Sequence, residues 1–298
     1  VSVKVAQSKS ISLLGQKVTD YHQLVKFRLT LTVVFSSVLA FLIASGTGVN
    51  WLAITVLATG GFLVTGAANA LNQVLEKDYD CLMERTANRP LAAGRMTISE
   101  AVMAAGLMSL AGISLLALFN PWAAFFGTLA LVSYAFLYTP MKRISPVAVL
   151  IGAVPGALPT LIGCVAAQGE LTMLALVLFG IQFFWQFPHF WSIGWLGYDD
   201  YQKAGYQLLP SLEGRPHPSI GLQSFIYALF LLPVGAAPFL IGISGVYSAV
   251  FVAIMTLGYA ALGWNFYRRS DRKSALLLMF YSFVYLPLTL VALYIDKL

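Results

Sequence analysis

The sequence predicts an all-α, polytopic membrane protein with nine transmembrane helices, and three observations carry that prediction. Only 10% of the 298 residues are Asp, Glu, Lys or Arg, while 59% are hydrophobic and the mean hydropathy is +0.79. An average soluble domain carries roughly 25% charged residues, and a soluble globule of this composition would expose apolar patches over its whole surface. Second, the chain divides into nine apolar runs, each near the about 20 residues a helix needs to cross a bilayer. Third, the few charges are segregated in a way that only an odd number of spans explains.

The runs cover residues 28–48, 51–73, 98–119, 121–140, 146–167, 171–195, 219–241, 245–266 and 274–295. A polar, basic segment, 1–27, precedes the first. Runs one and two are joined by Gly46-Thr47-Gly48-Val49-Asn50, and runs three and four by Asn120-Pro121. Such breaks make tight helical hairpins and leave little chain for extramembrane domains. Longer polar connections follow runs two and six, predicting cap loops at 74–97 and 196–218 on a single domain, 28–298.

The bases decide orientation. Lys4, Lys9, Lys17, Lys26 and Arg28 lie before or at the first run; Lys77, Arg85, Arg89 and Arg95 follow the second. Lys142 and Arg143 follow the fourth, Lys203 and Arg215 the sixth, and Arg268, Arg269, Arg272 and Lys273 the eighth. Of the 18 bases only Lys297 falls on the other side. The positive-inside rule then predicts a cytoplasmic N-terminus and a periplasmic C-terminus. The first run is too long for a signal-peptide core and the preceding segment has little Arg, so a bacterial inner membrane is the expected location. The two cysteines, Cys81 and Cys164, fall near opposite sides and are not expected to pair.

All acids except Glu170 and Asp296 fall on the basic side, most of them in two places. In Asn72-Gln-Val-Leu-Glu76-Lys77-Asp78-Tyr-Asp80, residues 72, 76 and 80 share one face if the helix continues. Carboxylates at a helix C-terminus are opposed by the macrodipole. A divalent cation would compensate them, and hard oxygen donors suit Mg²⁺, which also recruits substrate phosphates. The second cluster is Tyr198-Asp199-Asp200-Tyr201-Gln-Lys203. Upstream, Gln182, Gln186 and His189 form a polar stripe that should face a cavity or a partner helix. Asn72, Glu76, Asp80 and Asp200 are thus the candidate metal ligands, with Asp78 and Asp199 beside them.

Bases are interleaved with both acidic sites: Lys77, Arg85, Arg89, Lys142, Arg143 and Lys203. Arg suits bidentate phosphate contacts, and cations with metal ions make a departing diphosphate a better leaving group. The chemistry suggested is ionisation of a lipid diphosphate within the membrane. Solvated salt bridges are the plainer reading of one such loop, but two loops in register with intramembrane polar stripes argue against it. The +6 net charge is explained by topology and such a site, without nucleic acid. A transporter using paired acidic helix ends is a second reading, disfavoured by acids confined to one side.

The stretch from Asn72 to Leu91, with Asn-x3-Glu-x-Asp-x-Asp-x2-Met-x-Arg-Thr-x2-Arg-Pro-Leu, resembles the first signature of the heme branch of the UbiA-type intramembrane prenyltransferases, the protoheme IX farnesyltransferases (heme O synthases). Leu24-Val-Lys-Phe-Arg-Leu-Thr, Tyr138-Thr-Pro-Met-Lys142-Arg143, Trp185-Gln-Phe-Pro-His189-Phe and Asp200-Tyr-x2-Ala-Gly-x3-Leu-Pro210 look like the same family. The resemblance implies nine helices around a central cavity with a cytoplasmic cap. It implies transfer of farnesyl from farnesyl diphosphate to heme b, giving heme o, with Mg²⁺ as cofactor and His189 as a candidate heme contact. It also points to heme A synthase or terminal-oxidase assembly as partners. Three departures stand out. Glu76 replaces an Asp usual in the superfamily, its second Asp-x3-Asp is absent, leaving Asp199 and Asp200, and Phe27 replaces a common Pro. The nearest alternative is a sister enzyme that prenylates a phenolic acid or a chlorin.

Overall fold

A computed structural model describes residues 15–46 and 48–298; Lys4 and Lys9 of the N-terminal segment lie outside them. Among the described residues nine helices are long and apolar enough to cross a membrane. They are α1 (Phe27–Ala44), α2 (Trp51–Asp80), α3 (Ile98–Ala117), α4 (Pro121–Met141), α5 (Ala148–Gln168), α6 (Met173–Leu196), α7 (Ser219–Leu240), α8 (Val246–Arg269) and α9 (Arg272–Ile295). The apolar runs located these spans to within a few residues, with one consequential exception. α2 continues to Asp80 instead of stopping at 73, so the acidic motif is helical throughout.

The polar punctuation between spans acts as helix caps. Asn50, Thr97, Asn120, Thr172 and Asp271 each accept a hydrogen bond from the backbone N–H three residues on, at 3.0, 3.1, 3.0, 3.3 and 2.8 Å. Each satisfies a backbone donor that the first turn of a helix leaves unpaired. Pro121, at the first position of α4, has no N–H to orphan.

α5 is the inner strut, packed against α1, α4 and α6. Its small residues make that possible. A Cβ at Gly163 would meet the Ser37 carbonyl of α1, one at Gly152 the Tyr138 ring of α4, and one at Gly156 the Gln186 amide of α6. Close approach of small residues is how membrane helices gain packing without a hydrophobic drive. The polar stripe of α6 serves the same interface: Gln182 Nε2 donates to the Gly156 carbonyl at 2.8 Å, and Gln186 Nε2 to the Ala153 carbonyl at 3.1 Å.

The two ends of the bundle differ. At one, Asn120 Nδ2 donates to the Val165 carbonyl, Asp296 accepts from the Ser248 N–H, and the Lys297 ammonium bonds the Leu42 and Ser45 carbonyls. Glu170 lies at this end too, and the other end gathers the remaining charges of the described residues. There a helical segment, residues 15–24, is clamped by Arg95, which bonds Asp20 at 2.8 Å, Gln23 at 3.1 Å and Asn88 at 2.9 Å. The connection after α6 forms a short helix, Tyr198–Lys203, and a two-residue hairpin pairing β1 (Ser211–Leu212) with β2 (Arg215–Pro216). Both cysteines are free.

Candidate active site

A cavity of about 120 Å³ opens at the charged end, between the last turns of α2, the end of α4 and the connections after α2 and α6. Its floor comes from α2. Asn72, Glu76 and Asp80 all line it and are 0%, 4% and 1% exposed, because i, i+4, i+8 spacing puts them on the inward face. Two buried carboxylates on one helix end would be prohibitively costly without counter-charge. Here each has its own base. Arg89 Nη1 bonds both Asp80 oxygens at 2.8 and 2.7 Å, and Lys142 Nζ sits 2.7 Å from Glu76 Oε1.

The loop after α2 delivers Arg89 by turning back on itself. Thr86 Oγ1 donates to the Asp80 carbonyl at 2.9 Å, closing the end of α2, and Met83 is buried beneath the turn. Arg85, more exposed, donates to Tyr201 Oη at 3.0 Å. Lys142 arrives through an irregularity in α4. Residues Ser133–Tyr138 form a π-helical segment, after which Thr139 Oγ1 donates to the Tyr134 carbonyl at 2.9 Å. Such insertions rotate the next turn of the helix and occur frequently at functional sites. The rotated turn offers Thr139 to Asn72 Nδ2 at 3.0 Å and sets Lys142 over the Tyr138 ring at 4.7 Å. The Gln207 N–H holds the Lys142 carbonyl at 2.7 Å, tying the connection after α6 to the end of α4.

A fourth base enters from the N-terminal side. Lys26, in a left-handed conformation (φ 47°) just before α1, donates to Asn72 Oδ1 at 2.8 Å. The turn is pinned by Asn69 and Gln73 of α2, which donate to the carbonyls of Val25, Gln23 and Leu24. Burial, with the charges of Arg89 and Lys142 nearby, holds the Lys26 ammonium well below the ordinary lysine value. Burial opposes the charge on Lys142 as well, but the Glu76 carboxylate outweighs it and raises that group. Lys26, Arg85, Arg89 and Lys142 surround Glu76 and Asp80, and Arg85, Arg89 and Lys142 alone outnumber the two carboxylates, so the cavity carries excess positive charge. It suits a multiply charged anion.

A profile of the UbiA prenyltransferase family matches residues 33–284. A protoheme IX farnesyltransferase of Cytophaga hutchinsonii is 43% identical over 280 residues, covering 93% of this chain and 97% of the relative. The chain belongs to the UbiA prenyltransferase family. It is a multi-pass membrane prenyltransferase. The fold agrees with a solved digeranylgeranylglyceryl phosphate synthase at a TM-score of 0.78 and 16% identity, over 94% of this chain and 98% of that one. It agrees too with a UbiA homologue of Archaeoglobus fulgidus bound to DMAPP and Mg²⁺, at 0.70 and 14%, over 90% and 99%.

Of the residues singled out in the sequence of this UbiA-family enzyme, the structure brings Asn72, Glu76, Asp80, Arg85, Arg89 and Lys142 together. It does not bring the others. Asp78 and Asp199 are exposed, and Lys77 does not line the cavity. Asp200 bonds Lys203 at 3.1 Å, a contact that draws its carboxyl below the usual range. Arg143 lies over the Tyr79 ring at 4.0 Å. His189 sits at the contact of α6 with α9, its Nδ1 2.7 Å from Ser282 Oγ. Among the described residues, no three Asp, Glu, His or Cys side chains converge as a metal cage. The sequence reading missed Lys26, Thr86, Thr139, Tyr201 and Tyr206 as site residues. The family-like Lys-Phe-Arg and Asp-Tyr-x2-Ala-Gly stretches were the signals for Lys26 and Tyr201, whereas Tyr206 falls at an unspecified position just beyond the second.

Proposed function

We propose that this enzyme transfers the farnesyl group of farnesyl diphosphate to a vinyl group of heme b, giving heme o. The observation that carries the diphosphate half is the convergence of four bases on the two carboxylates of α2. Likeness to a protoheme IX farnesyltransferase over nearly the whole chain supports the choice of prenyl donor and acceptor.

The donor set fits Mg²⁺. That ion is typically held by one or two carboxylates together with waters and substrate phosphates, not by an all-protein cage. Glu76 and Asp80, with the amide oxygen of Asn72, would hold it, and Asp200 joins this set through the family resemblance alone. When bound, Mg²⁺ supplies charge neutralisation for the diphosphate. Asp78 and Asp199 enter on the same ground as Asp200.

Arg85, Arg89, Lys142 and Lys26 bind the diphosphate oxygens, and their charge grows in value as negative charge develops on the leaving group. The allylic C–O bond breaks with its electron pair leaving on the diphosphate. The vinyl π electrons then form the new C–C bond, and water captures the resulting cation and loses a proton, leaving the hydroxyethylfarnesyl group. Lys77, Arg143 and Lys203 add a positive field around the mouth of the site. His189 contacts the heme. The domain spans 28–298, with 74–97 and 196–218 as its cap, in a bacterial inner membrane with the site on the cytoplasmic face, where charge segregation puts it.

Expression in membranes containing heme b, followed by heme extraction and mass spectrometry, tests the reading. Heme o is the expected product. Unmodified heme b, with phenolic acids or chlorins prenylated in its place, would overturn it.

A further inference from the structure

Tyr206 stands on the connection after α6, two residues beyond the small buried Ala204, and packs with Met83, Tyr79 and Tyr201 under the loop that carries Arg85 and Arg89. It is 2% exposed and lines the charged cavity. Lys142 Nζ lies 5.8 Å from its ring centroid. Yet its hydroxyl is one of the few buried polar atoms without a hydrogen-bond partner. Burial pushes its ionisation upward, as do the carboxylates of Glu76 and Asp80; Glu76 is within the hydroxyl's reach but is already held by Lys142 at 2.7 Å.

A buried hydroxyl with no partner is a standing cost. Phenylalanine would fill the same space against Met83 and the neighbouring rings without it. The packing therefore explains an aromatic side chain at 206 but not its oxygen. What lies before that oxygen is a cavity lined by Lys26, Arg85, Arg89 and Lys142. These bases attract an anion, and the Tyr206 hydroxyl, lining the same cavity, can donate to it.

We propose that Tyr206 Oη donates a hydrogen bond to a diphosphate oxygen of the prenyl substrate, making Tyr206 a substrate-binding residue of this enzyme. The inference rests on the diphosphate reading of the cavity and adds a neutral donor to its cations. A neutral donor contributes directional bonding where a further buried cation would add repulsion to those already present. The contact acts on substrate binding and leaves the chemistry of bond breaking to the charged groups.

The test compares wild type with Tyr206→Phe in lipid nanodiscs, using inorganic pyrophosphate with Mg²⁺ as the probe. We expect pyrophosphate to inhibit wild type competitively against the prenyl diphosphate. In Tyr206→Phe the inhibition constant and the KM for prenyl diphosphate should both rise about tenfold, the scale of one hydrogen bond to a charged group. The kcat and the KM for heme should stay within about twofold, and the variant should unfold at the same temperature as wild type or higher. Equal pyrophosphate inhibition in the two proteins would overturn the role of Tyr206 while leaving the cavity's reading intact. A variant that unfolds at lower temperature and loses affinity for both substrates alike would also overturn it, as a packing effect. Failure of pyrophosphate to inhibit wild type, with no prenyl transfer, would overturn the reading of the cavity and the inference with it.

Discussion

Lys142 Nζ stands 2.7 Å from Glu76 Oε1 across the space between α4 and α2, and both side chains are almost wholly buried. Removing one member of a buried pair strands the other, at about 3–5 kcal/mol. Glu76→Gln alone should therefore lower stability, measured by thermal unfolding in detergent, and abolish prenyl transfer. Glu76→Gln combined with Lys142→Met removes both charges, and should recover most of the stability with no return of activity. A double variant as unstable as the single one would show that the pair contributes to folding by more than mutual neutralisation.

Thr139 is the acceptor that holds the Asn72 amide, and the π segment of α4 brings it there. Thr139→Val keeps the shape and deletes that acceptor, costing about 1–3 kcal/mol for the buried donor left behind. Asn72 Oδ1 also receives Lys26, so the change loosens two groups of the cavity at once. Steady-state kinetics should show a several-fold rise in KM for prenyl diphosphate. Unchanged kinetics would mean that Asn72 is held by its helix alone.

Two glycines test the packing. A Cβ at Gly163 would collide with the Ser37 carbonyl, a backbone atom that cannot swing aside. Gly163→Ala should destabilise by about 1–3 kcal/mol as α1 and α5 are pushed apart. Gly106 on α3 has nothing within 4 Å of the same position. Gly106→Ala should stabilise by about 0.5–1 kcal/mol through the backbone entropy it removes. Reversible unfolding in mixed detergent micelles measures both, and the opposite signs are the result to look for.

Asp271 caps α9, accepting from the Ser274 N–H, and that bond is the main reason its carboxyl lies below the ordinary aspartate value of 3.8. A depressed carboxyl contributes stability that is fully present above its unfolded value and disappears as pH falls through the folded one. Asp271→Ala should thus unfold at lower temperature than wild type near pH 7. The gap should shrink as pH falls below about 4, the unfolded aspartate value. A gap independent of pH would assign the cap's effect to something other than the charged carboxylate.

How much of the site is legible in the sequence depends on whether one helix or several elements hold the information. Asn72, Glu76 and Asp80 were legible because one helix carries all three, and helical spacing alone brings them onto one face. Asp78 was drawn in by its charge, yet two residues from Glu76 it points about 200° round the helix, and it is exposed. Arg89 and Lys142 were legible as cations but not as the partners of Asp80 and Glu76, since that pairing needs the loop's turn and the π segment. Ser133–Tyr138 reads as an ordinary apolar run. Lys26 was hidden for a similar reason: its reach to Asn72 depends on a left-handed residue between two helices, where the sequence shows only a basic flank.

His189 separates the two halves of the proposed reaction. Its Nδ1 lies 2.7 Å from Ser282 Oγ, and that hydroxyl donates its own proton to the Met279 carbonyl at 2.5 Å. When the serine proton goes to Met279, Nδ1 is the donor and a neutral ring keeps its free lone pair on Nε2. Trp185 stacks on the ring at 4.8 Å, fixing its plane, while Phe283 meets it edge-on at 5.1 Å. The residue does not line the charged cavity. His189→Ala should accordingly weaken heme binding, read from the Soret band on titrating heme b into nanodiscs, and leave inhibition by pyrophosphate unchanged. Loss of both together would mean that the substitution disturbs the α6–α9 contact as a whole. Loss of neither would remove His189 from the heme site, leaving it a packing residue tied to Ser282.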